Sequence, residues 1–69
     1  MIKNEGQRQR IGARIAQLRR EQQLTQRELG ERCGLADTHI ARIEKGRYSV
    51  GFDTLQAIAE GLNKIVDIV

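Results

Sequence analysis

The chain has 69 residues, enough for one domain with a thin core, since a domain of this size buries only about 60% of the surface its unfolded chain exposes. Its 12 Lys and Arg against 9 Asp and Glu give a net charge of +3 and an isoelectric point near 9.6, a mild lean toward polyanionic partners that decides nothing alone. One cysteine, no proline and two aromatic residues, with no leader and no long apolar run, exclude a disulfide framework, a membrane span and a β-sandwich, and lead us to expect a soluble, cytoplasmic, helical domain.

Ile11, Ile15 and Leu18 recur at i, i+4 and i+7 with Ala16 beside them, while Arg8, Arg10, Arg14, Gln17 and Arg20 fill most of the other positions. This pattern predicts an amphipathic helix over about residues 6 to 22. Thr25 and Glu28 form a T-x-x-E capping box, and Leu24 and Leu29 stand at the spacing of a hydrophobic staple. The second helix is therefore predicted over about residues 25 to 33, closed by Gly34 in the left-handed conformation. Leu35 and Ile40 repeat the staple spacing, which makes Ala36 the N-cap and Asp37 the first residue of a third helix over about residues 37 to 45, closed by Gly46. Val50 and Leu55 bracket Gly51 in the same way, so a fourth helix is predicted over about residues 52 to 62, burying Phe52, Leu55, Ile58, Ala59 and Leu62. After Asn63, the β-branched run "KIVDIV" predicts a short strand over residues 64 to 69. A lone strand leaves its backbone groups unpaired, so Ile65, Val66, Ile68 and Val69 are expected to meet their counterparts in a two-fold homodimer.

Helices two and three, joined by Gly34, Leu35 and Ala36, have the arrangement of a helix-turn-helix. At about 100° per residue, Asp37, Thr38, Ala41, Arg42 and Lys45 fall within an arc of roughly 140°, while Ile40 and Ile43 lie on the other side. The third helix thus joins an outward polar, partly basic face to a narrow apolar edge, as a helix entering a DNA major groove about 12 Å wide requires.

The stretches "IGARIAQLRREQQL" and "TQRELGERCGLADTHIARIEKGRYSVGFDTLQAIAEGL" together resemble the Cro/C1-type (XRE family) helix-turn-helix repressors, which are lambda-repressor-like domains. The likeness lies in T-Q-x-x-L at the start of helix two, glycine at the turn, I-x-x-I-E-x-G through helix three and L-x-x-I-A in helix four. It implies a compact all-α domain of four helices that acts as a bacterial or phage transcriptional regulator. Two copies would place their third helices in successive major grooves of a pseudo-palindromic double-stranded operator. It also implies that Gln26 bonds a phosphate and that Asp37, Thr38 and Arg42 face bases. Lys45 and Arg47 would touch the backbone, and Arg19 and Glu44 would join helix one to helix three as a structural ion pair. Ala36 stands where the family usually places Ser or Thr, which removes a side-chain cap and one phosphate hydrogen bond.

Among these positions Arg42 is the strongest base reader, because arginine can pair bidentately with guanine. Thr38 could touch a thymine methyl group. Asp37 can only accept, so it favours a cytosine amino group, and its charge suits the helix dipole while phosphates repel it. Arg27, His39, Ala41 and Tyr48 complete the expected DNA-facing set, Tyr48 either donating to a phosphate or packing over its loop. Cys33 reads as a small core hydrophobe. His39 is the only histidine and has no second ligand at metal spacing, so neither metal nor cofactor is expected. The chain also lacks a nucleophile with its base and a glycine-rich phosphate loop, which argues against an enzyme. A second reading is an antitoxin that binds both its operator and a toxin protein, with "KIVDIV" pairing to that other chain.

Overall fold

A computed structural model of the chain describes residues 5–66. It contains α1 (Glu5–Glu21), α2 (Gln26–Cys33), α3 (Asp37–Glu44) and α4 (Phe52–Gly61), with no strand among the described residues. Helix α1 begins and ends one residue before the span its periodicity predicts. It stops at Gln23, whose φ of 59° lets the Leu24 N–H donate back to the Arg19 carbonyl at 3.0 Å. A left-handed glutamine here does what glycine more often does.

At α2 the Glu28 N–H donates to Thr25 Oγ1 at 3.0 Å and the Thr25 N–H donates to Glu28 Oε1 at 2.8 Å, closing the capping box. The Thr25 backbone N–H, and after it the Thr25 hydroxyl, hold the Glu28 carboxyl below the ordinary carboxylate range. Gly34, at φ 75°, ends the helix and turns the chain. Ala36 caps α3 without a side-chain bond. Asp37 offsets part of that loss, because its Oδ1 accepts the Thr38 N–H at 2.8 Å. Helix α4 ends in the same manner as α1, through Asn63 at φ 59°.

Ile15, Leu29, Ile40, Ile43, Ile58 and Leu62 form the core, with Ile11, Leu18, Leu24, Cys33, Leu35, Val50 and Leu55 packed around it. All three staple pairs therefore reach one cluster. Helix α2 packs against α3 and α4, and α1 crosses α3. Two glycines permit these approaches: a Cβ on Gly12 would lie 2.3 Å from the Ile43 carbonyl oxygen, and one on Gly30 would lie 2.3 Å from the Leu35 carbonyl oxygen. Cys33 is half-buried, its thiol donates to the Leu29 carbonyl at 3.1 Å, and burial pushes its pKa up, as suits a packing residue.

One expectation needs correction. Phe52 is 64% exposed instead of buried, because at about 100° per residue it points roughly 80° to 120° away from Leu62 and Ile58, which define the inward face of α4. The strand expected over residues 64 to 69 is not seen in its described part, where Lys64, Ile65 and Val66 are in no regular structure. Ile68 and Val69, the rest of the expected strand pairing, lie outside the described residues.

Candidate nucleic-acid interface

Helix α3 is anchored by Ile40 and Ile43, both buried, and this rotates the opposite side of the helix outward. Asp37, Thr38, Arg42 and Lys45 are on that side, with Ala41 half-buried between them. Ala36 and Arg47, just before and after the helix, are exposed as well. Arg42, Lys45 and Arg47 have no carboxylate in ion-pair contact among the described residues. Arg27, on the outside of α2, faces Glu31 at 3.9 Å with both side chains well exposed, a pairing too weak to hold the guanidinium.

The tip of α2 lies beside this face. Its capping box uses the N–H groups of Thr25 and Glu28, leaving those of Gln26 and Arg27 without an intrahelical acceptor, as first-turn groups are. Such a helix start favours an anion. The Gln26 carboxamide is already engaged: its Nε2 donates to Glu44 Oε1 at 3.0 Å, so one of its two N–H bonds remains for a phosphate.

Arg19 and Glu44 meet through two parallel bonds, Nε to Oε2 at 2.7 Å and Nη2 to Oε1 at 3.1 Å. Their side chains are only 10% and 6% exposed. The remaining guanidinium nitrogen, Nη1, donates to the Leu24 carbonyl at 2.8 Å. A planar fork of this kind suits a buried pair, because each donor nitrogen finds an acceptor.

His39 is turned in part toward the fold. It is half-buried, its ring meets that of Tyr48 edge to face with centroids 4.6 Å apart, and its Nε2 is buried without a hydrogen-bond partner among the described residues. That nitrogen is turned into the protein and cannot reach a phosphate. His39 thus serves to hold the loop that carries Tyr48, a contact of the kind aromatic edges favour. Tyr48 itself stays exposed, so packing on the loop and contact with a backbone are compatible.

The sequence pattern did not signal the bond from Gln26 to Glu44, which spans 18 residues between two polar side chains. It also left the roles of Gly12 and Gly30 unread, although a signal was present there. Glycine inside a helix costs about 1 kcal/mol relative to alanine, and a position that bears this cost often marks a close approach. Among the described residues there is no group of three or more side chains able to hold a metal, and no helix is long and apolar enough to cross a membrane.

Comparison with known proteins matches this arrangement. The immunity repressor protein of Bacillus phage phi105 is 40% identical over 52 residues, which are 75% of this chain and 36% of that protein. The uncharacterised HTH-type transcriptional regulator y4dJ of Sinorhizobium fredii is 36% identical over 52 residues, 75% of this chain and 68% of that protein. The chain therefore spans about a third of the phage repressor's length. Among solved structures, the restriction-modification controller protein C.AhdI from Aeromonas hydrophila shares the fold with a TM-score of 0.83 at 24% identity, over 86% of this chain and 89% of that one. The clp gene regulator ClgR from Corynebacterium glutamicum gives a TM-score of 0.83 at 27% identity, over 86% of this chain and 76% of that one. The profile of the HTH_3 helix-turn-helix family matches residues 15–67, more than half of the sequence. The chain belongs to that family of Cro/C1-type (XRE) helix-turn-helix proteins.

Proposed function

We propose that the chain is a sequence-specific double-stranded-DNA-binding transcriptional regulator of the repressor kind, with α3 in the major groove. The observation that carries this reading is the sidedness of α3: Asp37, Thr38, Arg42 and Lys45 lie on the outer side of a helix fixed from behind by Ile40 and Ile43. Arg42 supplies the bidentate donor for a guanine, Thr38 a small contact beside it and Asp37 an acceptor. Lys45, Arg47 and Arg27 supply salt-dependent affinity for the backbone, and Gln26 with the first turn of α2 supplies phosphate anchoring. The protein acts by binding, not by catalysis.

Selection of bound duplexes from a random library tests this reading. A defined motif is expected, and Arg42→Ala should relax one position of each half-site, a discrimination of about 1 to 3 kcal/mol. An unchanged motif would remove Arg42 from the reading set. Failure of the wild-type chain to retain any duplex at low salt would remove the function itself.

The active form is a homodimer on a pseudo-palindrome whose half-sites lie about 34 Å apart. Support comes from Phe52 and Ile65, exposed by 64% and 89%, which line one cleft with Val66 and Ala59. Exposed apolar side chains gathered on one side of a small domain suit an isologous contact, with Ile65 and Val66 taking part in it. Phe52→Glu should raise the dimer dissociation constant at least about tenfold in sedimentation equilibrium. A variant as dimeric as the wild type would place the contact elsewhere.

A further inference from the structure

Glu44, the last residue of α3, has a carboxylate that accepts hydrogen bonds from two other helices. Arg19 of α1 donates through Nε at 2.7 Å and Nη2 at 3.1 Å, and Gln26 of α2 donates through Nε2 at 3.0 Å. Arg19 also reaches the Leu24 carbonyl, just ahead of α2, at 2.8 Å. One carboxylate thus joins the end of α1, the start of α2 and the end of α3.

A carboxylate only accepts, so it draws the nitrogen end of the Gln26 carboxamide toward itself and fixes which end faces inward. A free glutamine side chain samples many rotamers and would lose that freedom on gripping a phosphate. Held by Glu44, the carboxamide is already ordered, and its second N–H and the backbone N–H groups of Gln26 and Arg27 have no acceptor among the described residues. The Arg19 fork neutralises Glu44, which allows a carboxylate to stand behind a phosphate contact without repelling it.

We infer that Glu44 is a positioning residue for DNA binding: acting through Gln26, it preorganises the phosphate contact at the tip of α2 and sets its place relative to the base-reading face of α3. This rests on the DNA-binding reading above, in which Gln26 touches a phosphate.

The test is a double-mutant cycle on a mixed-sequence duplex of about 24 base pairs at low salt, with wild type, Glu44→Gln, Gln26→Met and the double variant. Neutralising Glu44 also adds net positive charge, but that effect is common to both backgrounds and cancels in the cycle. The effect of Glu44→Gln on affinity should be about fivefold more damaging with Gln26 present than in the Gln26→Met background. A purely structural Glu44 would give the same effect in both backgrounds, and a difference under about 1.5-fold overturns the inference. Should Glu44→Gln fail to fold, as judged by far-UV circular dichroism, Glu44→Asp keeps the charge beside Arg19 while withdrawing from Gln26 and completes the same cycle. In the wild-type chain, one Gln26 side-chain amide proton should resonate downfield and exchange slowly, and an amide signal like that of free glutamine also overturns the inference. If the wild type binds but the cycle shows no coupling, only the role of Glu44 fails. If the wild type binds no duplex, the DNA-binding reading fails and this inference with it.

Discussion

Arg19→Met should cost the domain about 3 to 5 kcal/mol, because it leaves the Glu44 carboxylate buried with Gln26 as its only remaining side-chain donor among the described residues. At about 0.05 to 0.15 kcal/mol per residue, a chain of 69 residues has roughly 3 to 10 kcal/mol in total. The substitution therefore removes a large share of the stability, and the midpoint of thermal unfolding should fall by about 15 to 30 °C. Methionine retains most of the packing of the arginine stem, so the loss reports on charge rather than volume. Replacing both partners, Arg19→Met with Glu44→Leu, should recover most of the loss, since no uncompensated charge then stays inside. Urea unfolding followed by circular dichroism measures both variants. A single variant within about 1 kcal/mol of wild type would show that the pair is solvated in a way its exposure does not suggest.

Gly12→Ala should be the most damaging of the conservative substitutions in α1. The added Cβ would meet the Ile43 carbonyl oxygen at 2.3 Å, the Glu44 carbonyl oxygen at 2.6 Å and the Glu44 carbonyl carbon at 2.9 Å. All three are backbone atoms, so no rotamer change relieves the contact, and α1 must move away from α3. Alanine gains about 1 kcal/mol of helix propensity, but overpacking of this kind costs about 1 to 3 kcal/mol and occasionally more. Displacement of α1 also lengthens the Arg19 to Glu44 bonds across the same crossing, so the clash outweighs the propensity. A net loss of about 2 kcal/mol is expected, read as a lower urea midpoint with an unchanged slope. Gly6→Ala is the control, because a Cβ at Gly6 has nothing within 4 Å, and it should be neutral or slightly stabilising. If both alanine variants were equally stable, the close crossing of α1 and α3 would be wrong.

Signals confined to a few neighbouring residues carried over into the structure. The Thr25 and Glu28 box closes as its spacing requires, and the staple residues Leu24, Leu29, Leu35, Ile40, Val50 and Leu55 all reach the core cluster. Gly34 and Gly46 take positive φ where a helix stop was expected. Physical reasons act locally here: a cap or a left-handed residue satisfies backbone groups within one turn, whatever the rest of the chain does. The periodicity of α3 likewise separates Ile40 and Ile43 from Asp37, Thr38 and Arg42, since a helix fixes the angle between its own side chains.

Residues on the margins of those patterns were decided elsewhere. Phe52 is apolar and at a helix start, yet it faces outward, whereas polar His39 has its Nε2 buried against the fold. Helical spacing places each near the boundary of a face, and only the elements packed alongside determine which side of that boundary is covered. Helix caps, turn glycines, the polar face of α3 and membership of the helix-turn-helix family were thus determined by the sequence alone. The crossing at Gly12, the inward turn of His39, the exposure of Phe52 and the bonding of Gln26 to Glu44 were decided by the tertiary structure. Each depends on groups far apart in the chain, and such contacts have no spacing for a sequence pattern to reveal.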